Sequence, residues 1–104
     1  MKVVFVESSL FSKYIHDYMT DDEYSKFQAY LAENPLIGNV IPASGGLRKL
    51  RWKAKSKGKR GGVRIIYYNL TTSGKICLMT IYAKNEMENL TKEDLLILRN
   101  EVPQ

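Results

Sequence analysis

The chain has 104 residues, 44% of them hydrophobic, which favours one folded domain over residues 1–104 and excludes a disordered tail. Its single cysteine, Cys77, excludes an internal disulfide and a cysteine-rich metal site, and lies in an apolar run that predicts burial. The apolar N-terminal run ends at Glu7, too early for a signal peptide, and no run approaches the roughly 20 residues of a membrane span. The sequence therefore predicts a cytoplasmic protein, without membrane contact, that carries a net charge of +5.

One strand and two helices are predicted before residue 35. The β-branched and aromatic run 3–6 predicts the strand, and Ser8 or Ser9 is placed to cap the first helix. That helix carries an apolar stripe at helical spacing, formed by Leu10, Phe11, Tyr14, Ile15 and Tyr18. Thr20 and Glu23 have the spacing of a capping box, so a second helix begins there and ends at Asn34-Pro35.

After residue 46 the hydrophobic pattern changes from helical to alternating, and three strands are predicted. Leu50 and Trp52 share one face of the first of these strands, while cations occupy the other face. The runs 63–70 and 76–83 predict a hairpin, and Thr91 marks the start of a last helix. The order β-α-α-β-β-β-α predicts an α+β fold, in which an antiparallel β-sheet carries the two N-terminal helices and the C-terminal helix on one face.

Charge is strongly segregated along the chain. The segment between Asn34 and Asn85 contains no Asp or Glu, yet it holds eleven of the sixteen Lys and Arg residues. Solvated protein surfaces normally mix both signs of charge, and crowded like charges repel one another. A polyanion would relieve that repulsion, and nucleic acid is the polyanion that clustered Lys and Arg side chains bind best. The basic segment therefore predicts an RNA-binding surface.

The three predicted C-terminal strands combine cations with tyrosines. Arginine donates two parallel hydrogen bonds to a phosphate, and a tyrosine ring stacks on an unpaired base. Such a surface either binds RNA passively or cleaves it by stabilising charge on the reacting phosphate, and composition alone does not separate the two. The candidate residues on or beside the strands are Lys49, Arg51, Lys53, Arg64, Tyr68, Tyr82 and Lys84, and the loop between the first two strands adds Lys55, Lys57, Lys59 and Arg60.

Residues that hold metals or perform histidine-based catalysis are sparse. The only histidine, His16, falls on the polar side of the first helix and is expected on the surface. No His, Cys and Asp cluster with metal-ligand spacing occurs. We therefore predict a protein without a metal or another cofactor.

Three stretches of the sequence resemble the RelE/HigB family of bacterial toxins, and the HigB-type branch is the most similar. They are GGLRKLRW (45–52), KSKGKRGGVRIIYY (55–68) and LMTIYAKNEMENLT (78–91). The resemblance implies a RelE-like fold and a metal-independent endoribonuclease that cleaves mRNA in the ribosomal A site. It also implies inhibition by a cognate antitoxin, of the helix-turn-helix, HigA-like kind. Family members use the RNA's own 2′-hydroxyl and leave a cyclic phosphate and a 5′-hydroxyl.

The resemblance also implies which residues contact the phosphate. Arg64 corresponds to the family's central arginine, and we expect it to be exposed and to stabilise the pentacoordinate phosphate together with Arg51. Lys49 and Arg51 fall on two lysines that alternate on the preceding strand in the family. The exchange at Arg51 keeps the charge but removes a proton donor, because arginine does not titrate. Lys49, Lys53 and the cations of the loop between the first two of the three C-terminal strands are expected to bind the phosphates of the RNA backbone.

The groups that transfer protons are left open by the resemblance. Well-known members carry a second arginine after the last strand, where this chain has Lys84, and their catalytic tyrosine aligns near Thr91. The role of that tyrosine is therefore either vacant or passes to Tyr82, Lys84 or Glu86. Two alternatives to the nuclease remain: a non-catalytic RNA-binding module, and a gyrase-inhibiting toxin of the same superfamily.

Overall fold

The computed structural model describes residues 2–54, 62–86 and 90–103. A short 3₁₀ turn, Thr71–Ser73, joins the last two strands at the predicted hairpin. The α+β class predicted from the sequence is confirmed, and the short second strand was not predicted. In chain order the elements are β1 (Val4–Glu7), α1 (Ser9–Tyr18), α2 (Asp21–Glu33), β2 (Asn39–Val40), β3 (Arg48–Trp52), β4 (Val63–Leu70), β5 (Lys75–Ala83) and α3 (Lys92–Asn100).

The five strands form one sheet in the order β1-β5-β4-β3-β2. Strands β2 to β5 are antiparallel to their neighbours, as predicted, but β1 pairs with β5 in parallel. The ladder between β4 and β5 shifts after Ile66, because Ile66 faces Thr80 while Tyr67 faces Leu78. The extra residue, Met79, makes a β-bulge that keeps apolar side chains of β5 on both faces of the sheet.

Side-chain caps fix where the helices begin. The hydroxyls of Ser8 and Thr20 each accept a hydrogen bond from the amide three residues on, at 3.0 and 3.2 Å. Thr91 and Asp94 form a reciprocal capping box at the start of α3. The predicted cap positions Ser8, Thr20 and Thr91 are thus confirmed. No helix in the described ranges is long and apolar enough to cross a membrane.

The helices cover both faces of the sheet, so the prediction that all three gather on one face was wrong. Helices α1 and α2 pack against one face, where Phe11 and Phe27 lie in a cluster with Ile65. Helix α3 packs against the other face, where Leu95 contacts a cluster that contains Ile66 and Cys77. The physical reason lies in β4 and β5, whose nearly continuous apolar runs present hydrophobic side chains on both faces and need cover on each.

The apolar stripe of α1 is narrower than predicted. Phe11, Ile15 and Tyr18 are buried, whereas Leu10 and Tyr14 remain 39% and 37% exposed. A helix that lies on a sheet buries only the stripe facing it. Helix α1 therefore contributes three large side chains to the core, and the two at the margin of the stripe face solvent.

Candidate functional site

Three of the predicted site residues lie in one row across the middle of the sheet. Arg51 of β3 is directly opposite Arg64 of β4, and Arg64 is directly opposite Tyr82 of β5. Side chains of directly opposed residues project from the same face with Cβ atoms about 4.5–5.5 Å apart. Tyr82 belongs to the apolar cluster beneath α3, so the row lies on the α3 face of the sheet. The structure therefore brings together residues that are 31 positions apart in the chain.

Arg64 is the centre of this row and is only 8% exposed, so the expectation of an exposed arginine was wrong. It lies on a strand that has β3 on one side and β5 on the other, and these neighbours remove it from solvent. One guanidinium nitrogen, Nη1, donates to the carbonyl oxygen of Val63 at 3.5 Å. A partly desolvated guanidinium interacts more strongly with an incoming anion than one surrounded by water.

Arg51 and Arg64 place two positive charges at directly opposed positions of β3 and β4. Like charges at opposed positions of a sheet repel, and the burial of Arg64 reduces the screening by water. Arg51 is exposed and accessible from solution. A phosphate bound between the two guanidinium groups would replace repulsion by paired, charge-assisted hydrogen bonds. Two opposed guanidinium groups are thus an arrangement that can bind a phosphate.

Tyr82 places a neutral phenol beside the two cations. It is 6% exposed, and burial raises the pKa of its hydroxyl, an effect that the positive charge of Arg64 only partly opposes. The pKa of a free tyrosine is already about 10, so the hydroxyl of Tyr82 keeps its proton at neutral pH. Tyr82 is therefore suited to donate a proton or a hydrogen bond and unsuited to act as a base.

Lys49 extends the row of cations toward α3. It lies two residues before Arg51 on β3, so it shares the same face about 6–7 Å away. Lys49 is half-buried and lines a small pocket of about 50 Å³. The pocket is otherwise mostly apolar and includes Tyr82, which places it next to the row. Its remaining walls are Ile41, Ile66, Leu90 and Leu95.

A glycine allows β3 and β4 to approach each other just before Arg64. Gly62 has a φ of +72°, and a Cβ atom there would lie 2.4 Å from the carbonyl oxygen of Trp52. Any other residue would push β4 away from β3 and displace Arg64 from Arg51. The carbonyl oxygen of Gly62 also accepts a hydrogen bond from the amide of Lys84 at 3.4 Å. The exposed Lys84, just beyond β5, is thereby held near the start of β4.

The remaining predicted RNA-binding residues differ in their surroundings. Lys53 follows β3 and is exposed. Tyr68 is engaged by α3, because the guanidinium carbon of Arg99 lies 4.4 Å from the centre of its ring and Nη2 of Arg99 donates to its hydroxyl at 3.4 Å. A base would have to displace Arg99 to stack on that side of the ring. The four loop cations, Lys55, Lys57, Lys59 and Arg60, lie outside the described residues.

Glu86, named as a candidate for proton transfer, has a specific partner on another element. Its Oε1 atom accepts a hydrogen bond from the hydroxyl of Tyr18 at 2.5 Å and another from the amide of Ala83 at 3.0 Å. Tyr18 and Glu86 are 68 positions apart, so no local sequence signal predicts this contact.

His16, expected on the surface, has a side chain that is 70% exposed.

The comparisons with known proteins establish the fold. No protein-family model matches the sequence. Among solved structures, the chain is similar to the toxin RelE from E. coli, in a free-state structure of a variant with two arginines changed to alanine. The TM-score is 0.65 at 13% sequence identity, and the match covers 95% of this chain and 98% of the other. The RelE-like fold expected from the sequence motifs is therefore confirmed.

Proposed function

We propose that this protein is a HigB-type toxin of a toxin–antitoxin pair and cleaves mRNA on the ribosome, which inhibits translation. The observation that carries the proposal is the row Arg51–Arg64–Tyr82 on the α3 face of a RelE-like sheet. The row combines two cations for a phosphate with a neutral proton donor, which RNA cleavage by internal transfer requires in addition to a base for the 2′-proton. The similar solved structure is itself that of a toxin.

The proposed reaction breaks one bond of the RNA backbone without a metal. The 2′-oxygen forms a bond to the adjacent phosphorus, the bond from phosphorus to the 5′-oxygen of the next nucleotide breaks, and the 2′-proton leaves to a base. The products are a cyclic phosphate and a 5′-hydroxyl. Negative charge accumulates on the phosphate oxygens in the transition state, where Arg51 and Arg64 would each donate charge-assisted hydrogen bonds.

Tyr82 is the group we assign to the leaving 5′-oxygen, which needs a proton as the bond breaks. Its buried hydroxyl is protonated at neutral pH and lies beside Arg64 in the row. Lys84, just past the end of β5, is the second group that can hold a proton or a phosphate oxygen there. Arg51 takes no part in proton transfer, because its guanidinium does not titrate.

The remaining cations would bind the RNA backbone, and the ribosome would supply the rest of the site. Lys49 lies on β3 two residues before Arg51, and Lys53 lies just after the end of β3. The loop cations follow Lys53 in the sequence. A site with few titratable groups gains most from precise orientation of its substrate, which a ribosome-bound mRNA provides. The expected partners are the ribosome, mRNA and a helix-turn-helix, HigA-like antitoxin, all met in the cytoplasm.

Expression in bacteria with and without a cognate antitoxin tests the proposal. Without the antitoxin, growth should stop and primer extension should show new 5′ ends inside translated codons. Cuts of equal strength in untranslated RNA would contradict dependence on the ribosome. DNA breaks with intact mRNA would favour a gyrase-inhibiting toxin, and arrest with neither kind of cut would favour a non-catalytic RNA-binding module.

A further inference from the structure

A buried tyrosine of α1 holds the turn that carries Lys84. Tyr18 is 8% exposed and its ring belongs to the core between α1 and the sheet. Its hydroxyl donates to Oε1 of Glu86 at 2.5 Å, and the same oxygen accepts from the amide of Ala83 at 3.0 Å. We call this arrangement of Tyr18, Glu86 and the Ala83 amide the Tyr18–Glu86 clamp. It joins the end of α1 to the first residues after β5.

The clamp restricts the backbone at Lys84, whose side chain is exposed. The amide of Glu86 donates to the carbonyl oxygen of Ala83 at 3.0 Å, which closes the turn, and the amide of Lys84 donates to Gly62 at 3.4 Å. Lys84 is thus bonded through its own amide to Gly62, just before β4, and Glu86, two residues later, is bonded to Tyr18 of α1. A turn on the surface would otherwise exchange among conformations, because exposed loops have few contacts that select one.

The partners in the clamp are chemically well matched. Burial raises the pKa of Tyr18, and the hydrogen bond and charge of Glu86 raise it further. The phenol therefore remains a hydrogen-bond donor throughout the physiological range. A carboxylate that accepts two hydrogen bonds at one oxygen is fixed in orientation, and bonds to a charged acceptor are stronger than neutral ones.

We propose that Tyr18, acting through Glu86, is a positioning residue that holds Lys84 against the Arg51–Arg64–Tyr82 row for RNA cleavage. This inference rests on the proposed function, and it assigns Glu86 a structural role as an acceptor in place of a role in proton transfer. Tyr18 reaches the site from the opposite face of the sheet and does not contact the RNA. A displacement of about 1 Å at a reacting group can cost roughly 100-fold in rate, so a hydrogen bond that fixes the backbone just after Tyr82 and Ala83 is expected to affect cleavage.

The test measures the steady-state kinetics of mRNA cleavage on purified ribosomes by Tyr18→Phe, Glu86→Ala, Glu86→Gln and Lys84→Ala, and by the double variant of Tyr18→Phe and Lys84→Ala. Tyr18→Phe keeps the buried ring and removes only the hydroxyl. Tyr24→Phe is the matched control, because the Tyr24 hydroxyl donates to Oε2 of Glu7 at 2.6 Å, a bond of the same kind between α2 and β1. Circular dichroism and urea unfolding on every variant separate changes in rate from loss of fold.

Tyr18→Phe and Glu86→Ala should each lower kcat roughly 10- to 100-fold with KM nearly unchanged. Glu86→Gln should cleave within a few-fold of wild type, because its amide oxygen still accepts both hydrogen bonds. In the double variant, Tyr18→Phe should add little to the loss of rate that Lys84→Ala causes alone, since both changes act through the same group. Tyr24→Phe should lower the free energy of unfolding by about as much as Tyr18→Phe does, and its kcat should equal that of the wild type.

Four results would overturn the clamp. Glu86→Gln as slow as Glu86→Ala would show that the carboxylate itself does chemistry. Full additivity of Tyr18→Phe and Lys84→Ala, or normal cleavage by folded Tyr18→Phe, would show that the clamp does not act through Lys84. Normal cleavage by Lys84→Ala would show that Lys84 is not needed, so the clamp would have no catalytic group to position. The proposed nuclease activity would be unaffected by that result, because it depends on Arg64. Failure of the wild-type protein to cut mRNA is a separate outcome that removes the proposed function itself.

Discussion

Replacing Arg64 by alanine should lower the rate of mRNA cleavage by about 10²–10³, the usual cost of removing one group that stabilises charge in a transition state. That loss corresponds to roughly 2.7–4 kcal/mol of transition-state stabilisation. The structure places Arg64 at the centre of the row with only 8% of the residue exposed, so water cannot readily replace its side chain. We expect KM to change less than kcat, because Arg51 and Lys49 still contact the phosphate.

The burial of Arg64 means that this substitution also affects the free energy of unfolding. The lost stem contributes about 0.8 kcal/mol for each buried methylene group. Removal of a desolvated cation that faces Arg51 opposes that loss, because opposed like charges destabilise a sheet. The net loss should therefore stay below about 2 kcal/mol, small beside the roughly 5–15 kcal/mol of a typical domain. The variant should fold.

The assay compares cleavage of ribosome-bound mRNA with urea unfolding for three variants. Arg64→Lys should rescue poorly, because an ammonium cannot reproduce the two parallel hydrogen bonds of a guanidinium. Arg48→Ala is the control: Arg48 lies on the same sheet, but its guanidinium donates to the carbonyl oxygen of Gly38 at 2.8 Å and serves the fold. Arg48→Ala should have a lower free energy of unfolding and cleave mRNA at the wild-type rate. A folded Arg64→Ala that cleaves within a few-fold of wild type would refute the assignment of Arg64.

Three further predictions concern the proton donor, the basic loop and the buried tyrosines. Tyr82→Phe should lower kcat by about 10²-fold or more with RNA binding retained, and unchanged kcat would remove its role as an acid. Substitution of glutamine for Lys55, Lys57 and Lys59 should weaken ribosome or RNA binding at low salt and matter less as salt rises, and a salt-independent loss would contradict a role in backbone binding. Burial raises the pKa of Tyr67 and of Tyr82 above the value of about 10 in the unfolded chain, so each contributes stability that is present below pH 10 and lost above it. Urea unfolding should show the free energy of unfolding fall as the pH rises above 10, and a flat profile up to pH 11 would contradict it.

Features that depend on local sequence could be predicted. The capping residues Ser8, Thr20 and Thr91 satisfy backbone amides within three residues, so their spacing is visible in the chain. The alternation on β3 likewise places Lys49 and Arg51 opposite the face of Leu50, as the period of a strand requires. These predictions needed no knowledge of which elements pack together.

Features that depend on which elements meet could not be predicted. The parallel pairing of β1 with β5 and the position of α3 depend on which apolar surfaces are buried against each other. That arrangement is a property of the whole chain. The same limit applied to single residues. The burial of Arg64 follows from the neighbours of β4, and the contact of Tyr68 with Arg99 joins β4 to α3 across 31 positions.

The candidate site was predicted in its residue types and not in its geometry. Cations and tyrosines on neighbouring strands were expected to lie close together, but the register that sets Arg51 opposite Arg64 and Tyr82 depends on β-sheet pairing. The link from Tyr18 to Glu86 had no signal in the sequence, because an α-helix and a turn 68 residues apart share no pattern. Long-range hydrogen bonds of this kind emerge only from the folded chain.

The most direct measurement incubates the purified protein with one mRNA, either free or positioned in the A site of purified ribosomes, and identifies the ends produced. We predict cuts within the A-site codon of the bound mRNA, with a cyclic phosphate and a 5′-hydroxyl at the new ends, and little cutting of the free RNA. Binding to the ribosome without any cleavage, or ends that carry a 5′-phosphate, would contradict the central claim that the Arg51–Arg64–Tyr82 row catalyses internal transfer at an RNA phosphate.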